Sequence, residues 1–175
     1  MVNNGYEDRS EMFEEARIVF RNFEGKEGPM NTAGNRNFCV VLTAEQADDL
    51  ERKGYNVKRK PPREDGDEEF RFLKVKVSFK GRPPRIVMLT SRGRTTLDED
   101  LCQMLDVAEI ESSDLIIQPY KYTVNGKTGI SAYLKSIYVT IHEDALELKY
   151  ANVREIGGRS DFPEEPDEDL DEIDY

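Results

Sequence analysis

The sequence predicts a mainly β protein: an OB-like, mostly antiparallel barrel with two short attached helices and a disordered acidic C-terminal tail. Three observations predict it. Segments with strand composition outnumber capped helical segments by about seven to two. Consecutive strands are joined by turn chemistry, most strongly at Asn125-Gly126, a hairpin signal. The chain also ends in DFPEEPDEDLDEIDY, with nine carboxylates and no Lys or Arg. Such a run buries too little apolar surface to offset its ordering entropy, and it repels itself. The expected organisation is a flexible arm over 1–15, a folded domain over 16–156 and an acidic tail over 157–175.

The elements follow in order. ARIVFRNF (16–23) and RNFCVVL (36–42) have strand composition and flank a loop rich in Gly, Asn and Thr at 24–35. Thr43 with Gln46 forms a capping box, and Gly54 stops the helix it starts. YNVKR (55–59) is a brief strand, followed by the loop KPPREDGDEE. FRFLKVKVSFK (70–80) is the most informative segment. Leu73, Val75, Val77 and Phe79 fall on one face, and Phe70, Phe72, Lys74, Lys76, Ser78 and Lys80 on the other. RIVMLTS (85–91) is another strand, and SRGR a basic loop. Thr96 and Glu99 predict a second helix, with Leu97, Leu101, Met104, Leu105 and Ala108 as its apolar stripe. SDLIIQP and YKYTV lead to the Asn125-Gly126 turn, and a long return strand covers about 128–141. Its apolar residues change phase between Lys135 and Ile137, which predicts a one-residue bulge.

Charge is unevenly spread along the 175 residues. The net charge is −11, yet the nine tail acids leave the body close to neutral. From Arg52 to Arg94 there are fourteen Lys or Arg against five Asp or Glu; from Leu97 to Asp114 there are seven acids and no base. This asymmetry says more about partners than the total does. Cys39 and Cys102 match no zinc or redox spacing, so both are expected to be reduced cysteines in a cytoplasmic protein. The polar, acidic N-terminus is no signal peptide, and no apolar run reaches the length of a membrane span. No Walker or Rossmann glycine loop occurs, and acids in a first helical turn suit the helix dipole without a metal. No catalytic residue, metal or cofactor is expected.

What remains is a surface. Single-stranded nucleic acid is held by a basic groove that tracks the backbone and by rings on which bases stack. The 70–80 strand offers both: Phe70 and Phe72 as stackers, Lys74, Lys76 and Lys80 as phosphate contacts. The competing reading for Phe70 and Phe72 is burial under a second layer. Tyr120, Tyr122 and Tyr133, with Lys127 and Lys135, form a second candidate group, against which stands ordinary half-buried tyrosine packing. Arg82, Arg92 and Arg94 in basic turns, and Lys26 and Arg36 around the 24–35 loop, complete the candidate site. The tail would compete for this groove at high effective concentration. Once displaced, Asp167, Glu168, Asp169, Leu170, Asp171, Glu172, Ile173, Asp174 and Tyr175 would be free to dock on a partner.

This layout resembles the single-stranded DNA-binding proteins of tailed phages. The stretches ARIVFRNFEGKEG, RNFCVVLT, GYNVK, FLKVKVSFKGRPPRI, SRGRTTLDED, LDVAEI, DLIIQPYKYTVNGKTGISAYLKSIYVTI and the acidic terminus ending in an aromatic residue carry the resemblance. It implies sequence-tolerant binding of single-stranded DNA in phage replication or recombination, in the host bacterial cytoplasm. It also implies contact of the tail with a polymerase, helicase-primase or recombinase; a homodimer is left open. The two helices depart from a minimal five-stranded barrel. The alternative reading is a non-catalytic interaction module, either a structural phage component or an inhibitor that mimics DNA. One continuous basic groove favours DNA; scattered basic residues, or their pairing with 97–114, favour the module.

Overall fold

The computed structural model describes residues 9–154. The acidic tail therefore lies outside the described residues. One compact unit extends to His142, and a second begins at Glu143.

The first unit is built on a nine-stranded mixed sheet: β1 (Glu11–Ala16), β2 (Ile18–Asn22), β3 (Arg36–Val41), β4 (Val57–Lys60), β5 (Phe70–Val77), β6 (Arg85–Thr90), β7 (Gly93–Leu97), β8 (Ile110–Val124) and β9 (Lys127–Ile141). Its main path runs β1-β8-β9-β5-β3-β2, with β4 on β5, β6 on β9 and β7 on β6. Most pairings are antiparallel, as expected, but β9 runs parallel to both β5 and β6. The hydrogen-bonded path does not close. Its two ends, β1 and β2, are joined through the chain at Arg17. The expected barrel is thus an open, OB-like sheet.

Inward residues follow the two-residue period. Leu73, Val75 and Val77 of β5 are buried against Phe38, Val40, Ile117 and Leu134, and Phe23 stacks on Phe38 with centroids 5.2 Å apart. The helix α1 (Ala44–Lys53) adds Ala47 and Leu50 to this core. Its start is the predicted capping box: Gln46 N donates to Thr43 Oγ1 at 3.1 Å and Thr43 N to Gln46 Oε1 at 2.9 Å. Its end is Gly54 at φ 104°, a left-handed cap that glycine adopts without a Cβ penalty.

Three expectations are corrected. Residues 11–15 belong to no loose arm: β1 pairs with β8, and Phe13 enters the core. The basic loop SRGR opens a strand, since Gly93–Leu97 pairs along β6. The helix expected over 97–108 is replaced by a 3-10 helix at Cys102–Asp106. The β-branched Thr95 and Thr96 suit a pleated edge. Asp98, not Thr96, caps the turn that follows, accepting from the N–H groups of Asp100 and Leu101 at 3.0 and 2.9 Å. Of the expected stripe Leu97 and Leu105 are buried, whereas Leu101 and Met104 remain 47% and 43% exposed.

The β8–β9 hairpin turns on Asn125 (φ 53°) and Gly126 (φ 79°), the two positive angles of a type I′ turn. The predicted bulge is present. Ile116 pairs with Ser136 and Ile117 with Leu134, which leaves Lys135 as the extra residue. It falls where β9 changes partner, from β5 at Ala132–Tyr133 to β6 at Ser136–Thr140. The second unit contributes α2 (Ala145–Lys149), where Leu148 N donates to Asp144 O at 3.0 Å.

Candidate nucleic-acid interface

Residues directly opposite one another on paired strands share a sheet face. The registry around β5 therefore defines its outer face. Asn37 and Cys39 of β3 stand opposite Lys76 and Lys74. Lys58 and Lys60 of β4 stand opposite Phe72 and Phe70. Tyr133 of β9 stands beside Lys76, with Gln118 opposite it on β8, and Tyr120 stands opposite Ser131.

Two depressions lie on this face. One, of about 480 Å³, is lined by Asn31, Arg36, Lys74, Lys76, Lys80 and Tyr133 among others. The second, of about 620 Å³, is lined by Lys58, Lys74, Lys76, Tyr120, Tyr122 and Tyr133 among others. They share Met30, Lys74, Lys76 and Tyr133, so the two adjoin and together make a trough. The 24–35 loop supplies Met30, which is 92% exposed. Its own amides pin this loop: Asn31 Nδ2 donates to the carbonyls of Lys26 and Asn35 at 2.7 and 3.0 Å.

The rings and cations of the trough are ordered by each other. Tyr120 meets Tyr133 edge to face at 5.8 Å, and Lys76 Nζ stands 5.8 Å from the Tyr133 centroid. Tyr122 lies across Gly129, where a Cβ would come within 2.6 Å of the tyrosine oxygen. Among the described residues, Lys58, Lys74, Lys76 and Lys80 enter no ion pair. The arginine between the β4 lysines behaves oppositely. Arg59 is held by Asp48, Glu51 and Glu69, and these carboxylates raise its pKa. Alternation along β4 thus sends paired charge to one face and unpaired charge to the other. Arg36 lies between these cases: its guanidinium stacks on Phe79 at 5.4 Å, and Nη1 pairs with Glu99 at 3.3 Å. Beside the trough, burial raises the Cys39 thiol to about 11, although Lys74 and Lys60 pull it down.

The structure brings together Lys74, Lys76, Lys80, Arg36, Tyr120, Tyr122 and Tyr133 of the sequence-derived candidates. Phe70 and Phe72 are half-buried, with no second layer sealing them among the described residues, and lie further along the same face of β5. Lys127 lines a shallow depression with Tyr122 near the hairpin turn. Lys135 is the exposed bulge residue. Lys26 pairs with Glu24 at 3.4 Å, outside both depressions. Arg82, Arg92 and Arg94 also line neither depression; the last two belong to the β6–β7 hairpin. Sequence reasoning missed Lys58 and Lys60, although their alternation with Arg59 in VKRK was a usable signal. It also missed Phe20, whose exposure follows from a bulge that β2 does not announce.

An OB-like sheet whose outer face gathers lysines without ion pairs among the described residues beside tyrosines in edge-to-face contact is the kind of surface that single-strand-binding proteins use. The chain belongs to the phage ssDNA-binding domain family, whose model matches residues 3–173. Its fold is similar to that of the single-stranded DNA-binding protein from bacteriophage Enc34 in complex with ssDNA. That match has 9% identity and a TM-score of 0.50, covering 78% of this chain and 88% of that one. The C-terminal truncation of the Enc34 protein matches with the same identity and coverage and a TM-score of 0.49. The single-stranded DNA-binding protein gp2.5 encoded by bacteriophage T7 matches at 12% identity and a TM-score of 0.37, over 85% of this chain and 97% of that one. No curated protein matches the chain in sequence. Among the described residues, no helix is long and apolar enough to cross a membrane, and no three His, Cys, Asp or Glu side chains gather as a metal site.

Proposed function

We propose that the chain coats single-stranded DNA without sequence preference through the trough along β5, β8 and β9, in phage replication or recombination. Lys58, Lys74, Lys76 and Lys80 neutralise phosphates, and Tyr120, Tyr122 and Tyr133 offer faces to bases. Stacking is worth about 1–3 kcal/mol per base and works with any base. The observation that carries this reading is the pair of adjoining depressions whose lysines have no ion-pair partner among the described residues. A charge meant for stability would be paired, as Arg59 is; these are left to an external anion. The acidic segment 157–175 competes for the same lysines and, once displaced, docks on a basic surface of a replication or recombination protein.

The chain has no Trp and eight Tyr, three of which line the trough, so tyrosine emission is the convenient probe. Oligo-dT quenches the emission, and the affinity falls with salt. Each phosphate neutralised on a single strand adds about −0.7 to the log–log slope. Lys74→Glu with Lys76→Glu weakens binding at least about tenfold at low salt and flattens the slope by about 1.4. Absence of quenching at low salt, or an unchanged slope in the double variant, rejects the trough as the interface.

A further inference from the structure

The outer face carries a second aromatic group, distinct from the tyrosines. Phe20, Phe70 and Phe72 meet one another with centroids 5.2 to 6.4 Å apart. Lys60 Nζ stands 5.4 Å from the Phe20 centroid and 5.7 Å from that of Phe72. Phe20 is 57% exposed, and its backbone sits at φ 51°, a left-handed conformation that bulky residues rarely adopt. It belongs to a bulge, since the β2–β3 register shifts between Val19 and Asn22. That bulge has a structural reason: Arg21 turns to donate from Nη1 to the carbonyls of Leu105 and Ala108 at 2.6 and 2.7 Å. The ring at position 20 meets Phe70, Phe72 and Lys60 yet stays more than half exposed. A glycine or asparagine would meet the same backbone demand with less strain, and a packing ring would be covered.

We propose that Phe20, Phe70, Phe72 and Lys60 form a second base-stacking platform, so that single-stranded DNA runs along β5 from the tyrosines to the phenylalanines. This rests on the trough being the DNA interface. The outer residues of β5 are, in order, Phe70, Phe72, Lys74 and Lys76, and Lys76 pairs in register with Tyr133. At about 3.3 Å per residue, Phe72 lies about 13 Å from Lys76, a gap that a few nucleotides span. The lysines along that gap hold their phosphates. The charge around the rings selects the occupant: Lys58, Lys60 and Lys74 surround Phe72, which suits a polyanion with flat apolar groups.

The experiment compares short and long oligomers. Phe20→Gly removes the ring and relaxes the backbone, so its thermal stability is level or higher. Phe72→Ala serves as the second variant. Tyrosine quenching is titrated with oligo-dT of about four and about twelve nucleotides, within the range of site sizes of such scaffolds. The short oligomer binds the variants and the unaltered protein alike. The long one binds each variant about five- to tenfold more weakly, the loss of one stacked base. Equal affinity for the long oligomer in both folded variants overturns the platform and marks the patch as a protein contact, while leaving the tyrosine–lysine interface standing. Equal losses for short and long oligomers also overturn it, because the phenylalanines would then belong to the central site. No quenching of the unaltered protein by either length overturns both readings.

Discussion

Gly129 carries no side chain because Tyr122 occupies the space above it, with ring atoms within 2.6 to 3.1 Å of where a Cβ would stand. The two residues are cross-strand partners, so the ring covers the glycine and is held flat along the hairpin. Gly129→Ala therefore leaves the Asn125-Gly126 turn intact but lifts the tyrosine away. Its expected effect is a several-fold loss of oligo-dT affinity, within the 1–3 kcal/mol that one stacked base is worth, and a changed tyrosine emission in the free protein. Unchanged affinity in the folded variant would mean that Tyr122 only packs. A single residue type thus decides whether a ring is available, and only coordinates could show it: the sequence marks Tyr122 as a candidate and says nothing of Gly129. Cys39 teaches the opposite lesson. Its spacing alone predicts a reduced cysteine, and burial keeps the thiol protonated although Lys74 and Lys60 pull its pKa down.

Elements were legible where local chemistry agrees with the final pairing. The α1 caps are side-chain-to-backbone bonds between near neighbours, and the Lys135 bulge shows as a phase change in the apolar pattern. Thr43→Ala should cost about 1 kcal/mol, read as a lower denaturation midpoint, because it leaves the N–H of Gln46 without its partner. DNA affinity should not change, since α1 lies away from the trough-lining residues. An unchanged midpoint would mean that solvent replaces the cap at no cost. Elements were misread where the deciding partner is distant in sequence. Residues 97–108 carry an apolar stripe of helical period, yet the 3-10 turn is tied to the residues just after β2 instead: Asp106 accepts from Phe23 N at 2.6 Å and Glu24 N at 3.0 Å. Nothing in the local pattern of LDEDLCQMLD announces those bonds. β1 was missed for the same reason, because its only apolar anchors, Phe13 and Ala16, become informative once β8 stands beside them. The site followed suit. Alternation in β5 marks the candidate lysines and phenylalanines and alternation in VKRK could have marked Lys58 and Lys60, while the place of Phe20 depends on a bulge set by distant partners.

Charge is segregated over the whole chain as well as along each strand. Several acids within the body are spent on arginines and on backbone donors: Glu51, Asp48 and Glu69 on Arg59, Glu99 on Arg36, Asp106 on the amides of Phe23 and Glu24. Among the described residues the trough lysines enter no ion pair, and the sequence adds a dense run of nine carboxylates at 161–175. On the proposed competition, a polyanion carried on the same chain as the trough lysines competes with any free polyanion, and its effective concentration sets the terms. Its hold is electrostatic, so salt must weaken it as it weakens DNA binding. Removing 160–175 should therefore tighten oligo-dT binding several-fold at low salt, and the gain should shrink as salt rises until the two proteins coincide. The log–log slope of the tail-less protein should be steeper, because full-length protein exchanges one set of anions for another while the truncated one releases only small ions. Parallel salt titrations of both proteins, followed by tyrosine emission, measure this directly. Equal affinities at every salt concentration would remove the tail from the trough and confine its role to partner proteins, with the lysine face still standing as the DNA interface.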